Sequence, residues 1–290
     1  MPRVTFQDLE LEYDSFGDPA DPVLLLVMGL GAQMTNWDTR LCELFAAQGF
    51  HVVRFDNRDI GLSTEFGHLP LPDFAALSAG DTSSAPYLLS DMAADVVVLL
   101  DGLGVERAHL VGASMGGMIA QQVVVDHPER VLSLCSIMST TGDKTVGQGR
   151  PEIVATFAQP AATTREAVIE QRLVASRMTR SPGFAVDEDA ARERIAASYD
   201  RSNRPMSTLR QLAAVIASPD RTEGLRGVTV PTVVIHGSDD PLVHRSGGEA
   251  TAAAVPDAEL IIIDGMGHDL PLDVWPTVVE AVAANAKRAR

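Results

Sequence analysis

Gly112-Ala113-Ser114-Met115-Gly116 fits the pattern Gly-x-Ser-x-Gly, and its neighbours say what the pattern is for. The apolar run Arg107-Ala108-His109-Leu110-Val111 precedes it, and a second apolar-rich run, Met118 to Val125, follows. A strand that ends, a sharp reversal and a helix that begins put the serine at the apex of a strained turn, hydroxyl outward. The next backbone N–H, that of Met115, then lies at a helix N-terminus, where negative charge is stabilised. Glycines flank the serine because side chains there would meet the neighbouring strand or helix. A hydroxyl so placed becomes a nucleophile once a base takes its proton and a carboxylate holds the base.

Both partners have candidates downstream, each just past an apolar run. His236-Gly237-Ser238-Asp239-Asp240 follows a run ending at Ile235, and Asp264-Gly265-Met266-Gly267-His268-Asp269 follows one ending at Ile263. Of seven histidines, His268 sits in a glycine-flanked loop after a strand end, as a triad base does. His236 reads as structural, and the other five need only packing or surface roles. Asp239 and Asp240 are both candidates for the acid. In an extended segment their side chains point to opposite sides, so only one can face His268. Asp264 and Asp269 read as loop-turn residues. An oxyanion hole needs two N–H donors. Met115 would supply one, and the backbone of Leu30, in Met28-Gly29-Leu30-Gly31, the other.

Strand and helix patterns alternate around these residues, the mark of a mostly parallel sheet. Val4–Phe6 and Leu9–Tyr13 read as an opening hairpin. Val23–Val27 is apolar on both faces and belongs inside a covered sheet. Further strands are expected at His51–Phe55, Arg107–Val111, Val131–Met138, Thr229–Ile235 and Glu259–Ile263. Helices are expected over Trp37–Gln48, Asp91–Leu100 with Ser90 as its cap, Ser246–Val255 and Trp275–Ala286. Between Thr140 and Pro219 the pattern is helical only, over Arg165–Arg180, Asp187–Tyr199 and Met206–Ala217. That stretch reads as an insertion. Gly67 to Pro86 is long for a loop and reads as a surface excursion or a lid. Arg54 to Ser63, with Asp56, Arg58 and Asp59, reads as a loop whose arginine and aspartates pair internally.

The 290 residues carry a formal net charge of −16, which argues against nucleic-acid or anionic-membrane binding through a basic face. Two cysteines, Cys42 and Cys135, imply no disulfide framework. No signal-peptide core or membrane-length apolar run occurs, so a cytoplasmic protein is expected. No metal-ligand spacing and no phosphate-binding glycine motif is present, and no cofactor or metal is expected.

The chain resembles the α/β-hydrolase superfamily, and within it the esterase branch that includes aclacinomycin methylesterase. The resemblance rests on Phe16–Pro22, Leu24–Gly29, Arg54–Asp59, Gly112–Gly116 and Gly265–His268. Many relatives have His-Gly where this chain has Met28-Gly29. The resemblance implies an eight-stranded, mostly parallel sheet with helices on both faces. It also implies a core of residues 1–139 and 220–290, with a helical cap, 140–219, before the acid-bearing strand. It implies Ser114 as nucleophile, Asp240 as acid, His268 as base, and Leu30 and Met115 as oxyanion donors. The expected activity is hydrolysis of a small-molecule carboxylic ester by a serine hydrolase through an acyl-enzyme. Met28, Gly29 and Met266 would border an apolar acyl pocket. Cleavage of C–C, lactone or thioester bonds, perhydrolysis and acyl transfer share the same triad. A ligand-binding protein that kept the fold is the alternative outside enzymes.

Overall fold

Residues 2–159 and 161–289 are described by a computed structural model; Met1, Pro160 and Arg290 lie outside the described residues. Eight strands form one sheet: β1 (Arg3–Phe6), β2 (Leu9–Phe16), β3 (Val23–Val27), β4 (His51–Phe55), β5 (Ala108–Ala113), β6 (Val131–Ile137), β7 (Thr232–Gly237) and β8 (Glu259–Ile263). Their order is β1-β2-β4-β3-β5-β6-β7-β8. The β1–β2 and β2–β4 pairs are antiparallel and all the others parallel. The helices are α1 (Thr39–Ala46), α2 (Phe74–Ser78), α3 (Leu89–Gly102), α4 (Met115–Asp126), α5 (Pro151–Val154), α6 (Arg165–Thr179), α7 (Glu188–Arg201), α8 (Pro205–Ala217), α9 (Thr222–Leu225), α10 (Ser246–Ala254) and α11 (Trp275–Lys287).

The alternation along β3 explains its unbroken apolarity. Val23, Leu25 and Val27 face one way, into a core with Met92 and Val96 of α3 and Ile119 of α4. Leu24 and Leu26 face the other way, toward Phe45 of α1 and Val278 of α11. Helices therefore cover both faces, and the central strands bury their side chains on both sides. The expected eight-stranded α/β-hydrolase fold is borne out.

Four local expectations differ. First, α3 starts at Leu89, with Leu88 and not Ser90 at its cap position; Asp91 Oδ2 accepts the Leu88 N–H at 2.7 Å, so the cap acts from inside the helix. Second, β7 starts at Thr232, because Pro231 has no N–H to give a ladder; its carbonyl instead accepts from Leu134. Third, the 67–86 stretch contains α2, capped by Asp73 and packed against α8.

The fourth concerns the turn after β4, whose arginine and aspartates do not pair internally. Asp56 pairs with Arg201 of α7 at 2.7 Å, and Asp59 with Arg210 of α8 at 2.7 Å. Arg58 goes to Asp95 of α3, and Arg54 to Asp14 of β2. Both aspartate side chains are fully buried, where a carboxylate needs a partner, and the inserted helices bring the partners.

Helices α5 to α9 lie between β6 and β7, neighbours in the sheet. The two ends of the insertion are joined. The Arg221 N–H donates to the Thr141 carbonyl at 2.9 Å, and its guanidinium to the Thr140 carbonyl at 2.9 Å. Burial around Arg221 pulls its pKa down to about 10.

Candidate active site

Ser114 follows β5 directly and caps α4 with φ +56° and ψ −121°, in the left-handed half of conformational space. Held there by strand and helix, the residue stores on the order of 1–3 kcal/mol of backbone strain. A Cβ at Gly112 would run into the Gly116 carbonyl, and one at Gly116 into the Val27 carbonyl. The pattern's two glycines are thus required by the backbone approach, as the turn demands.

The long-range placement is the decisive geometry. His268 Nε2 lies 2.9 Å from Ser114 Oγ, and His268 Nδ1 lies 2.7 Å from Asp240 Oδ2. The other Asp240 oxygen accepts the N–H groups of Leu242 and Val243, both at 2.9 Å. Burial disfavours the Asp240 charge. His268, His236 and the Val243 N–H outweigh it and hold the carboxyl well below the usual carboxylate range. An ionised Asp240 takes the Nδ1 proton as a hydrogen bond, which leaves Nε2 free to accept from the serine hydroxyl. Asp239 is exposed and accepts from Ser238 Oγ at 2.6 Å, so of the two neighbours it is Asp240 that faces His268. His236 is buried, with Nε2 2.8 Å from the Val243 carbonyl and 3.5 Å from Asp240 Oδ2. It backs the loop that carries Asp240.

The Met28–Gly31 segment lies against the serine: a Cβ at Gly29 would come within 3.2 Å of Ser114 Cβ. Asn57 holds the Met28 carbonyl at 2.8 Å. Among the described residues the Leu30 N–H has no backbone acceptor outside the site. The Met115 N–H begins α4 and has no carbonyl one turn earlier to bond. These two N–H groups, one in the segment against Ser114 and one in the residue after it, are of the kind an oxyanion hole uses. Met28 is half-buried, while Met266 is fully buried in the cluster that includes Ile235 and Trp275.

The inserted helices bond to the loop that carries His268. The His268 N–H donates to the Thr179 carbonyl at the end of α6, at 2.7 Å. The Gly267 N–H donates to Ser181 Oγ at 2.8 Å, and Asp269 accepts from both the Ser181 N–H and hydroxyl. Asp269 thus bonds the insertion and does not simply shape its own turn. Gln33 and Gln211 likewise join the segment after Gly29 to the inserted helices. None of Thr179, Ser181, Gln33 or Gln211 carries a local sequence signal. A crevice of about 10 Å³ between the two layers is lined by Gly31, Gln33, Gly61, Arg172, Ser202 and Arg204. It has room for about one water molecule.

A serine, an imidazole and a buried carboxylate so linked, beside two free amides, can carry out acyl transfer. A family model described as alpha/beta hydrolase fold matches residues 22–273. The chain belongs to the alpha/beta hydrolases. Rhodomycin D methylesterase DnrP of Streptomyces peucetius is 30% identical, with 99% of this chain and 98% of that protein covered. The 3-oxoadipate enol-lactonase 2 of Acinetobacter baylyi is 24% identical, over 90% of this alpha/beta hydrolase and 87% of that enzyme. The enol-lactonase of Burkholderia xenovorans superposes with a TM-score of 0.77 over 99% of this chain and 100% of that one. At 20% identity that likeness shows the fold alone.

Proposed function

We propose that this alpha/beta hydrolase cleaves small-molecule carboxylic esters through a covalent acyl-enzyme on Ser114. The observation that carries the reading is the continuous link from Ser114 Oγ through His268 to Asp240, at 2.9 and 2.7 Å. Ser114 Oγ attacks the ester carbonyl carbon while His268 Nε2 takes the hydroxyl proton. The oxygen, now negative, is held by the Leu30 and Met115 N–H groups. The C–O bond to the alcohol breaks, and His268 returns its proton to the departing alkoxide. Water, deprotonated by His268 in turn, attacks the acyl carbon; the bond to Ser114 Oγ breaks, His268 returns the proton to that oxygen, and the acid leaves. Asp240 keeps the imidazole in its tautomer and offsets its positive charge in both halves of the cycle.

Full-length similarity to methylesterases favours a small alcohol as leaving group. We assign the acyl group an apolar character, and residues 140–219 the part of a cap over a core of 1–139 and 220–290. We also assign the protein to the cytoplasm. The test is turnover of p-nitrophenyl butyrate by wild type and Ser114→Ala. The variant is expected to lose at least about 10³-fold in kcat, because no nucleophile remains. Turnover retained within tenfold would rule the acyl-enzyme route out.

A further inference from the structure

We infer that Gln211, on α8, is a positioning residue that sets the oxyanion-binding turn from the inserted helices. This rests on reading Leu30 as an oxyanion donor. Gly29 to Ala32 is a β-turn: the Ala32 N–H donates to the Gly29 carbonyl at 3.3 Å, with Leu30 and Gly31 as its central residues. Gly31 has φ +68°, which a type II turn requires at its third position. The peptide between Leu30 and Gly31 is the one whose orientation defines such a turn. Its N–H donates to Gln211 Oε1 at 2.9 Å. The other end of the same amide donates from Nε2 to the Arg58 carbonyl at 2.8 Å.

Gln211 is wholly buried, so each end of its amide must be satisfied within the protein. The amide spans the gap between the oxyanion turn and the turn after β4, so the two are tied through α8. Gln33, two residues past the turn's centre, answers in the opposite direction. Its Nε2 donates to the Ser198 and Ser202 carbonyls at 2.7 and 2.8 Å, and its Oε1 accepts from Arg201. The Met34 N–H donates to Asp56 Oδ1 at 2.8 Å, and Asp56 is itself paired with Arg201. The sheet holds this loop through Val27 and the Asn57 bond to Met28; from Gly31 to Met34 its bonds beyond its own local turns go to α8, to α7 and Ser202 just after it, or to Asp56, itself paired with Arg201 of α7. The Leu30 N–H is therefore aimed correctly only while the inserted helices are seated. A displacement of about 1 Å in such a donor costs up to about 100-fold in rate.

The test compares wild type with Gln211→Leu, which removes both bonds at similar volume, and Gln211→Glu, which keeps an acceptor for the Gly31 N–H. Three quantities are read. They are kcat and KM on p-nitrophenyl butyrate, Ki for a trifluoromethyl ketone that forms an oxyanion on Ser114, and Ki for an isosteric amide that does not. Gln211→Leu is expected to lower kcat by about 10- to 100-fold, to raise the ketone Ki by a similar factor, and to leave KM and the amide Ki within about threefold. Gln211→Glu should keep more of the activity than Gln211→Leu. Equal loss of ketone and amide binding, unchanged kcat in a folded Gln211→Leu, or a folded Gln211→Glu no better than Gln211→Leu would overturn the inference. Should Gln211→Leu not fold, the ratio of ketone to amide Ki in Gln211→Glu decides: a ratio unchanged from wild type, alongside a lowered kcat, overturns it. Ser114→Ala with undiminished turnover would instead bring down the triad reading itself, whatever Gln211 does.

Discussion

Replacing Arg210 with methionine should destabilise the protein by about 3 kcal/mol, at the low end of the cost of breaking a buried ion pair. Arg210 meets Asp59 with two hydrogen bonds, Nε to Oδ2 at 2.9 Å and Nη2 to Oδ1 at 2.7 Å. The two side chains are 3% and 0% exposed, so water cannot take over from the lost guanidinium. The Tyr87 hydroxyl and the Phe66 N–H still donate to Asp59 at 2.7 and 2.8 Å, which puts the loss at the low end. Methionine matches arginine closely in helix propensity and fills much of its stem, so α8 itself loses little. The expected fall in Tm is about 6–12 °C for a chain of this size. Calorimetry and urea unfolding would measure it. Asp59→Asn keeps the left-handed turn at φ +72° and leaves Arg210 with only Ser207 Oγ and the more distant Glu65, with a loss of the same order. The double variant should lose clearly less than the two single losses together, with a coupling of about 1–3 kcal/mol. A loss below about 1 kcal/mol in Arg210→Met, the range of exposed pairs, would refute the reasoning, and so would additive losses.

Two further outcomes are expected. Asp240→Asn should fold but lose about 10⁴-fold in kcat, because an amide facing His268 Nδ1 no longer imposes the tautomer that accepts the serine proton; activity on the ester within tenfold of wild type would argue against Asp240 as the acid. His109, buried beside Ser133 Oγ at 2.8 Å, is pushed from 6.5 down to about 4 by burial and by Arg107. The folded state thus keeps it neutral while the unfolded chain takes up a proton, so its contribution is full above pH 6.5 and is lost as pH falls toward 4. His109→Asn should flatten the decline of the urea midpoint across that window, and an unchanged slope would contradict it.

The parts of the fold that the sequence made legible are those where local chemistry decides. Val23–Val27 is apolar on both faces because both faces are covered, and the Ser114 turn needs glycines on either side whatever the rest of the chain does. Boundaries failed where a side chain acts at a distance of a few residues, as Asp91 does for Leu88 and Asp73 does for α2. Asp73 ahead of Phe74-Ala75-Ala76-Leu77 was a cap signal inside a stretch whose composition spoke for a loop. The turn after β4 failed for a deeper reason. Asp59 and Arg210 are 151 positions apart, and no local pattern tells a buried aspartate which distant helix will neutralise it. The same holds for Gln211 and Thr179, which look like ordinary helix residues until the helices are seated over the site.

The bonds from Arg221 to Thr140 and Thr141 make the entrance and exit of the inserted helices a single closed neck beside β6 and β7. Everything beyond the neck can change length at a loop-closure cost that grows only logarithmically, while the strand register stays the same. Selection can thus rebuild the inserted helices as a module hung from one point of the sheet, provided each new version keeps a counterpart of Gln211 for the Gly31 N–H. The Asp56 and Asp59 pairings then serve as the standard couplings that any replacement must still engage.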